Sequence, residues 1–283
     1  MSARSRLSPA AIGALIALLA LQGCAKISGI FQQARSPSPT PAANPNGEAR
    51  VVEVEPPVTF ANDDDYVVRV LAGNVTCSGA LIDEDRVLTA HHCVSARNSS
   101  GEIVTKDVGV ETIRVELGGD DLPWGEVGVR AMIVPTCGHA AGEGDIAILV
   151  LERRLIGIAT RAPRLDTPPV LTEAVDPIGF GRCALSNDGL HRRHRAGTPV
   201  DKVTEGRFNA DAAICPGDSG GPVVSAQTGE IVGVISRSVM DGSETTMGRS
   251  EFVRLDRWRP VFAAADLIAS GMSPAELPPI ECK

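Results

Sequence analysis

The run Cys215-Pro216-Gly217-Asp218-Ser219-Gly220-Gly221-Pro222 constrains this chain more than any other stretch. Glycines permit backbone angles and close approaches that side-chain-bearing residues resist. A serine among them therefore sits exposed in a tight turn lined by amides. The N–H groups of Gly217 and Ser219 can point into one spot, where they would stabilise a developing oxyanion. On its own such a run is also simply a glycine-rich turn, so its meaning depends on the rest of the chain.

Upstream stands Val87-Leu88-Thr89-Ala90-His91-His92-Cys93, and between the two runs lies Gly144-Asp145-Ile146-Ala147-Ile148-Leu149-Val150-Leu151. The order is histidine, aspartate, serine. With Cys77-Ser78-Gly79-Ala80-Leu81-Ile82, Gly179-Phe180-Gly181 and Ile231-Val232-Gly233-Val234-Ile235-Ser236, the chain resembles the trypsin/chymotrypsin-like serine proteases over residues 51–270. The resemblance implies an all-β fold: two antiparallel six-stranded β-barrels with the triad in the cleft between them. Short β-rich runs separated by turn residues agree with it. It places the first barrel at about 51–160, the second at about 161–253 and a closing C-terminal helix at about 254–270. Leu255, Trp258, Val261, Phe262 and Leu267 supply the helix's apolar spacing, with Pro260 in its first turn.

The implied activity is a serine endopeptidase that works through an acyl-enzyme on protein or peptide substrates. Ser219 is the candidate nucleophile, and its hydroxyl needs an adjacent base. His91 and His92 are both near enough in sequence, but they cannot face the cleft in the same way. The resemblance selects His92, directly before the cysteine, and puts His91 where alanine is usual. Asp145, at the mouth of an apolar strand, would orient His92, while Asp120 and Asp121 lie in a Gly-rich loop and are weaker candidates. His139, His191 and His194 read as surface residues, and His191-Arg192-Arg193-His194-Arg195 as an exposed basic loop.

Asp218 is implied to form a buried ion pair that shapes the oxyanion hole of Gly217 and Ser219. Its partner is open. Cleavage at Arg50-Val51-Val52 would release a new ammonium, although Glu53 and Val54 replace the family's glycine pair there. An internal arginine is the alternative. The resemblance also marks a specificity pocket of Ala213, Ile214, Ser236, Arg237 and Ser238. Alanine at the base argues against cleavage after Arg or Lys. Small or medium apolar residues are the first expectation, and acidic residues drawn by Arg237 the second.

A formal charge of −8 argues against nucleic acid as the main partner. Arg4 and Arg6 followed by an apolar stretch to Leu21 read as a signal peptide over 1–23. Leu21-Gln22-Gly23-Cys24 is similar to a bacterial lipoprotein box, which implies an acylated Cys24 and a membrane-anchored protein of the cell envelope. Residues 24–50, rich in Ser-Pro and Asn-Pro, read as a tether before a peptidase domain at 51–283. Acylating Cys24 leaves six of the seven cysteines for disulfides. The family implies Cys77–Cys93, and the course of its loops implies Cys183–Cys215. Cys137–Cys282 remains. No cofactor or metal is expected, since Asp63-Asp64-Asp65 reads as an acidic turn, and the protein is expected to be a monomer. The competing readings are a catalytically silent binding protein on the same fold and a non-proteolytic esterase.

Overall fold

The computed structural model describes residues 63–118, 123–139, 144–182, 191–195, 198–238 and 249–282. The signal, tether, Cys24, Arg50–Val52, Asp120, Asp121 and Cys183 expectations lie outside these residues.

Six strands of the N-terminal half form a closed antiparallel barrel. They are β1 (Val67–Ala72), β2 (Val75–Asp83), β3 (Arg86–Thr89), β6 (Ile113–Leu117), β7 (Gly125–Ile133) and β8 (Ala147–Leu151). β6 alternates: Ile113, Val115 and Leu117 point inward, and Arg114 and Glu116 are half-buried. That is the period of a strand with one wet face. β8, Ala-Ile-Leu-Val-Leu, is buried along its whole length. β1 pairs with both β2 and β6, so the barrel has no free edge. A short helix α1 (His91–Val94) follows β3 and leads into an outlying hairpin of β4 (Ser95–Arg97) and β5 (Ile103–Asp107).

The C-terminal half forms a seven-stranded sheet in the order β10-β9-β13-β14-β15-β12-β11. Its strands are β9 (Val175–Gly179), β10 (Arg193–His194), β11 (Lys202–Val203), β12 (Arg207–Asp211), β13 (Pro222–Ser225), β14 (Ile231–Ser238) and β15 (Arg249–Arg254). Five longer strands make its body, and β10 and β11, two residues each, extend its two edges, giving seven strands where six were expected. Phe208 and Phe252, with ring centroids 5.1 Å apart, centre the apolar cluster between these strands.

Helix α2 (Arg259–Ala269) is shorter than expected, because Asp256–Trp258 form a separate 3-10 turn ahead of it. Its buried face is Val261, Phe262, Ala264, Ala265 and Ile268, which join the core of the N-terminal barrel. Leu267 was expected on that face but is exposed, since residues 261, 265 and 268 already define the buried stripe. Arg130 on β7 donates to Ile268 O at 3.0 Å, capping the helix C-terminus. Cys137–Cys282 ties the residues after β7 to the chain end. The C-terminal segment thus crosses back onto the first barrel and fixes the two halves together. Among the described residues no helix is long and apolar enough to cross a membrane.

Candidate active site

The floor of the site is built where β2 of the first barrel meets the serine turn of the second half. Ser78 is fully buried and makes most of this junction. Its N–H donates to Ser219 O at 2.8 Å and its Oγ donates to Gly217 O at 2.7 Å. The same Oγ accepts from Phe180 N at 2.9 Å. Thr89 Oγ1, at the end of β3, donates to Ser78 O at 2.8 Å. Gly220 has φ +82°, and a Cβ there would run into Thr89 Oγ1 and Ser78 O. Glycine is therefore required at this position both for its backbone angle and for the close approach.

α1 presents the two histidines. Successive residues on a helical turn point about 100° apart, and His91 and His92 do find different partners. His92 Nδ1 lies 2.9 Å from Asp145 Oδ2 and 3.1 Å from Oδ1, and its backbone N–H donates to Oδ1 at 2.9 Å. A carboxylate can only accept, so Nδ1 carries the hydrogen and Nε2 is left as the base. His91 is buried and turned away. Its Nε2 meets Asp107 Oδ1 at 2.7 Å, and its ring stands edge-on to His139 at 5.7 Å. Asp145 is buried ahead of β8 and also accepts from Ser236 Oγ at 2.5 Å. Burial opposes its charge, but the bonds from the His92 ring, Ser236 and the His92 backbone outweigh that, and its pKa is lowered.

Asp218 does not face the cleft. Its side chain is fully buried and uses both oxygens to gather distant segments. Gly181 N donates to Oδ1 at 2.7 Å and Cys215 N to Oδ2 at 2.8 Å. Arg195 grips it from the other side, with Nη2 at 3.1 Å from Oδ1 and Nε at 2.8 Å from Oδ2. The Nη2 contact is a charge-assisted hydrogen bond and the Nε contact a close ion pair, so Asp218 is both oriented and neutralised. Gly217 holds φ +103° in the turn this network supports. Among the described residues the N–H groups of Gly217 and Ser219 donate to no carbonyl, and no hydrogen bond joins Ser219 Oγ to His92.

The Trypsin family model matches residues 58–256, which takes in all of this geometry. The chain belongs to the trypsin family. It is similar to Trypsin iota of Drosophila melanogaster, 28% identical over 187 residues, covering 56% of this chain and 67% of that one. Serine protease SP24D of Anopheles gambiae is 30% identical over 186 residues, covering 60% of this chain and 65% of the relative. The chain thus spans about two thirds of these relatives' length. The crystal structure of a scabies mite inactivated protease paralogue superposes with a TM-score of 0.57 at 18% identity, covering 73% of this chain and 93% of that one. A Glu endopeptidase structure gives the same TM-score and identity, covering 74% and 93%. At that identity the two structures share the trypsin-type fold alone.

One expectation for this trypsin-family site needs correction. The basic run at 191–195 is not an exposed loop. Arg192 and Arg195 have side chains only 8% exposed, because carboxylates face each of them: Asp65 for Arg192 and Asp218 for Arg195. His194 is likewise clamped, by Asp64 and Asp176. The pocket set also divides. Ile214 is buried in the core of the second half, and Ser236, matched to the serine beneath the triad, donates to Asp145. Ala213 is exposed and Ser238 half-buried. Arg237 is bound to Glu251 at 2.6 Å, and Arg207 shares that carboxylate at 3.1 Å.

Cys77–Cys93 forms as the family implied, with Cα atoms 6.0 Å apart. Cys215 is disulfide-bonded; its expected partner, Cys183, lies outside the described residues. Cys77, Cys93 and His92 bring their donor atoms together. Both sulfurs are joined in the disulfide, so no thiolate is present to ligate a metal. Ser78 and Arg195 are the site residues that sequence reasoning did not single out.

Proposed function

We propose that this chain is a serine endopeptidase with Ser219 as nucleophile, His92 as general base and Asp145 as the carboxylate that orients it. The observation that carries the reading is the His92–Asp145–Ser236 chain of hydrogen bonds, which fixes the tautomer and leaves Nε2 as the base. In the reaction His92 Nε2 takes the Ser219 hydroxyl proton as Oγ attacks the scissile carbonyl carbon. The negative charge that develops on the carbonyl oxygen is met by the N–H groups of Gly217 and Ser219. The C–N bond then breaks, the leaving amine takes the proton from His92, and an acyl-Ser219 remains. Water, deprotonated by His92, hydrolyses that ester and restores the enzyme.

Arg195 supplies the cation for Asp218 from within the chain. The oxyanion turn is thereby held without an ammonium released at Arg50, so activity does not require cleavage there. With alanine at the pocket base and Arg237 neutralised by Glu251, small or medium apolar residues are favoured before the scissile bond. The protein is exported, anchored by a lipid on Cys24 and held off the membrane by residues 24–50, and it acts as a monomer. Disulfides among the described residues support an oxidising compartment.

A fluorophosphonate probe on the full-length protein tests the reading. Labelling of uncleaved enzyme that is lost in Ser219→Ala and His92→Ala supports it. Labelling only after cleavage at Arg50 overturns the constitutive part. No labelling in either state supports a silent binding protein on the same fold, and turnover of esters but not of matched peptides supports an esterase.

A further inference from the structure

Arg195 reaches Asp218 from an unpromising place. It follows β10, a two-residue strand at the edge of the sheet. Strands average about 5–6 residues, so β10's own ladder holds it weakly. That ladder consists of Arg193 opposite Gly179 and His194 opposite Ile178, with Arg195 N donating to Pro177 O at 2.7 Å. Two more ties come from the acidic turn just before β1. Asp65 Oδ1 meets Arg192 Nη2 at 2.6 Å, with both side chains largely buried. Asp64 Oδ2 meets His194 Nε2 at 2.7 Å, while Asp176 on β9 takes the other ring nitrogen. The turn is itself anchored: Val67 N donates to Asp64 O at 2.8 Å, and Tyr66 is buried under Arg161, whose guanidinium lies 4.8 Å from its ring.

We propose that Asp64 and Asp65 are positioning residues for the oxyanion turn, acting through His194 and Arg192 to hold Arg195 against Asp218. The acids just before β1 thus do, in an intact chain and at a distance, the ordering that a liberated N-terminus would do by direct contact. The inference rests on the assignment of Ser219 and the Asp218–Arg195 pair made above. Its physical basis is that one turn faces two of the three side chains just ahead of Arg195 with carboxylates, Asp65 on Arg192 and Asp64 on His194. Removing those carboxylates leaves a largely buried Arg192 and a half-exposed His194 without a counter-charge on that side, and the edge strand relaxes.

The full-length protein is compared with Asp64→Asn/Asp65→Asn, Arg195→Gln and the charge swap Asp65→Arg/Arg192→Asp. Activity is read on a peptide ester and folding by circular dichroism. The double asparagine variant is expected to lose between about two- and thirty-fold in kcat, with KM changed much less, and the swap to recover most of what Asp65→Arg alone loses. A second readout is the alkaline limb of kcat. The groups facing His194 are Asp64 from the acidic turn and Asp176 from β9. Burial disfavours its charge, but these two carboxylates prevail and raise its pKa. Asp64→Asn is therefore expected to move the alkaline limb to lower pH, a shift that a merely structural role would not produce. An inactive Arg195→Gln beside a folded double asparagine variant with wild-type kcat and an unmoved alkaline limb overturns this inference alone. A fully active Arg195→Gln overturns the reading it rests on. If the double variant does not fold, the swap and the alkaline limb of Asp64→Asn decide the matter by the same criteria.

Discussion

Ser78→Ala is the most informative single change, because one hydroxyl joins three segments that are far apart in the chain. Its Oγ donates to Gly217 O and accepts from Phe180 N, at separations of 139 and 102 residues. Alanine fits the space, so packing is kept while both bonds are lost. Phe180 N–H is then a buried donor without a partner, which costs roughly 1–3 kcal/mol. For a domain of this size each kcal/mol shifts Tm by about 2–4 °C, so a fall of about 2–12 °C is expected. The kinetic effect has a separate origin. Gly217 O and Gly217 N–H lie on opposite sides of the same residue, and among the described residues its carbonyl is the side pinned to the first barrel. Freeing it lets the N–H drift from the spot where charge develops. Loss of one oxyanion donor outright lowers kcat by about 10²–10³, so drift is expected to lower kcat by about tenfold or more with little change in KM. Thermal unfolding together with steady-state kinetics on a peptide ester reads both. A lower Tm with unchanged kcat would refute the link between Ser78 and the oxyanion turn. An unchanged Tm would refute the buried bonds themselves.

Four further outcomes are expected. Asp145→Asn lowers kcat on the order of 10⁴-fold, whereas His91→Ala, which touches Asp107 rather than Asp145, keeps kcat within about threefold; stopped assays on both variants separate the two histidines' roles. Because Asp145 has its pKa lowered in the folded state, it contributes stability above its unfolded value of about 3.9. That contribution is lost as pH falls through the folded value, so Tm of wild type, but not of Asp145→Asn, carries this acid-side decline. Glu251→Gln removes the charge that holds Arg237 and Arg207, and a positional-scanning peptide library should then show increased acceptance of acidic residues before the scissile bond. Cys282→Ser opens a loop of 145 residues, worth about 5 kcal/mol in the chain-entropy model, and should lower Tm by about 10 °C or more.

The parts of the site legible in the sequence are those whose geometry is local. His92 is set by the turn after β3, Asp145 by its place before a fully apolar strand, and Ser219 by the glycines around it. Each motif carries its own backbone instructions, and their order along the chain does the rest. Arg195 has no such local signature. Among five basic residues in a row it looks like solvated surface, since charge patterning says nothing about which strand the run will lie beside. It is buried where its segment lies beside β9, where Asp64, 130 residues upstream of His194, holds that neighbour, and where Asp218, 23 residues downstream, takes its own guanidinium. One signal was available: Asp218 in the serine run requires a cation, and the glycine pair expected after Val52 is missing. Together those facts left an arginine from within the chain as one of two open partners, and the topology says which arginine it is. The same reasoning explains Leu267, placed on the wrong side of α2. In each case the residue type was compatible with two environments, and the long-range pairing of the two halves selected between them. The candidate catalytic groups of this fold are thus written locally, while the residues that hold them in register are written in the contacts between its halves.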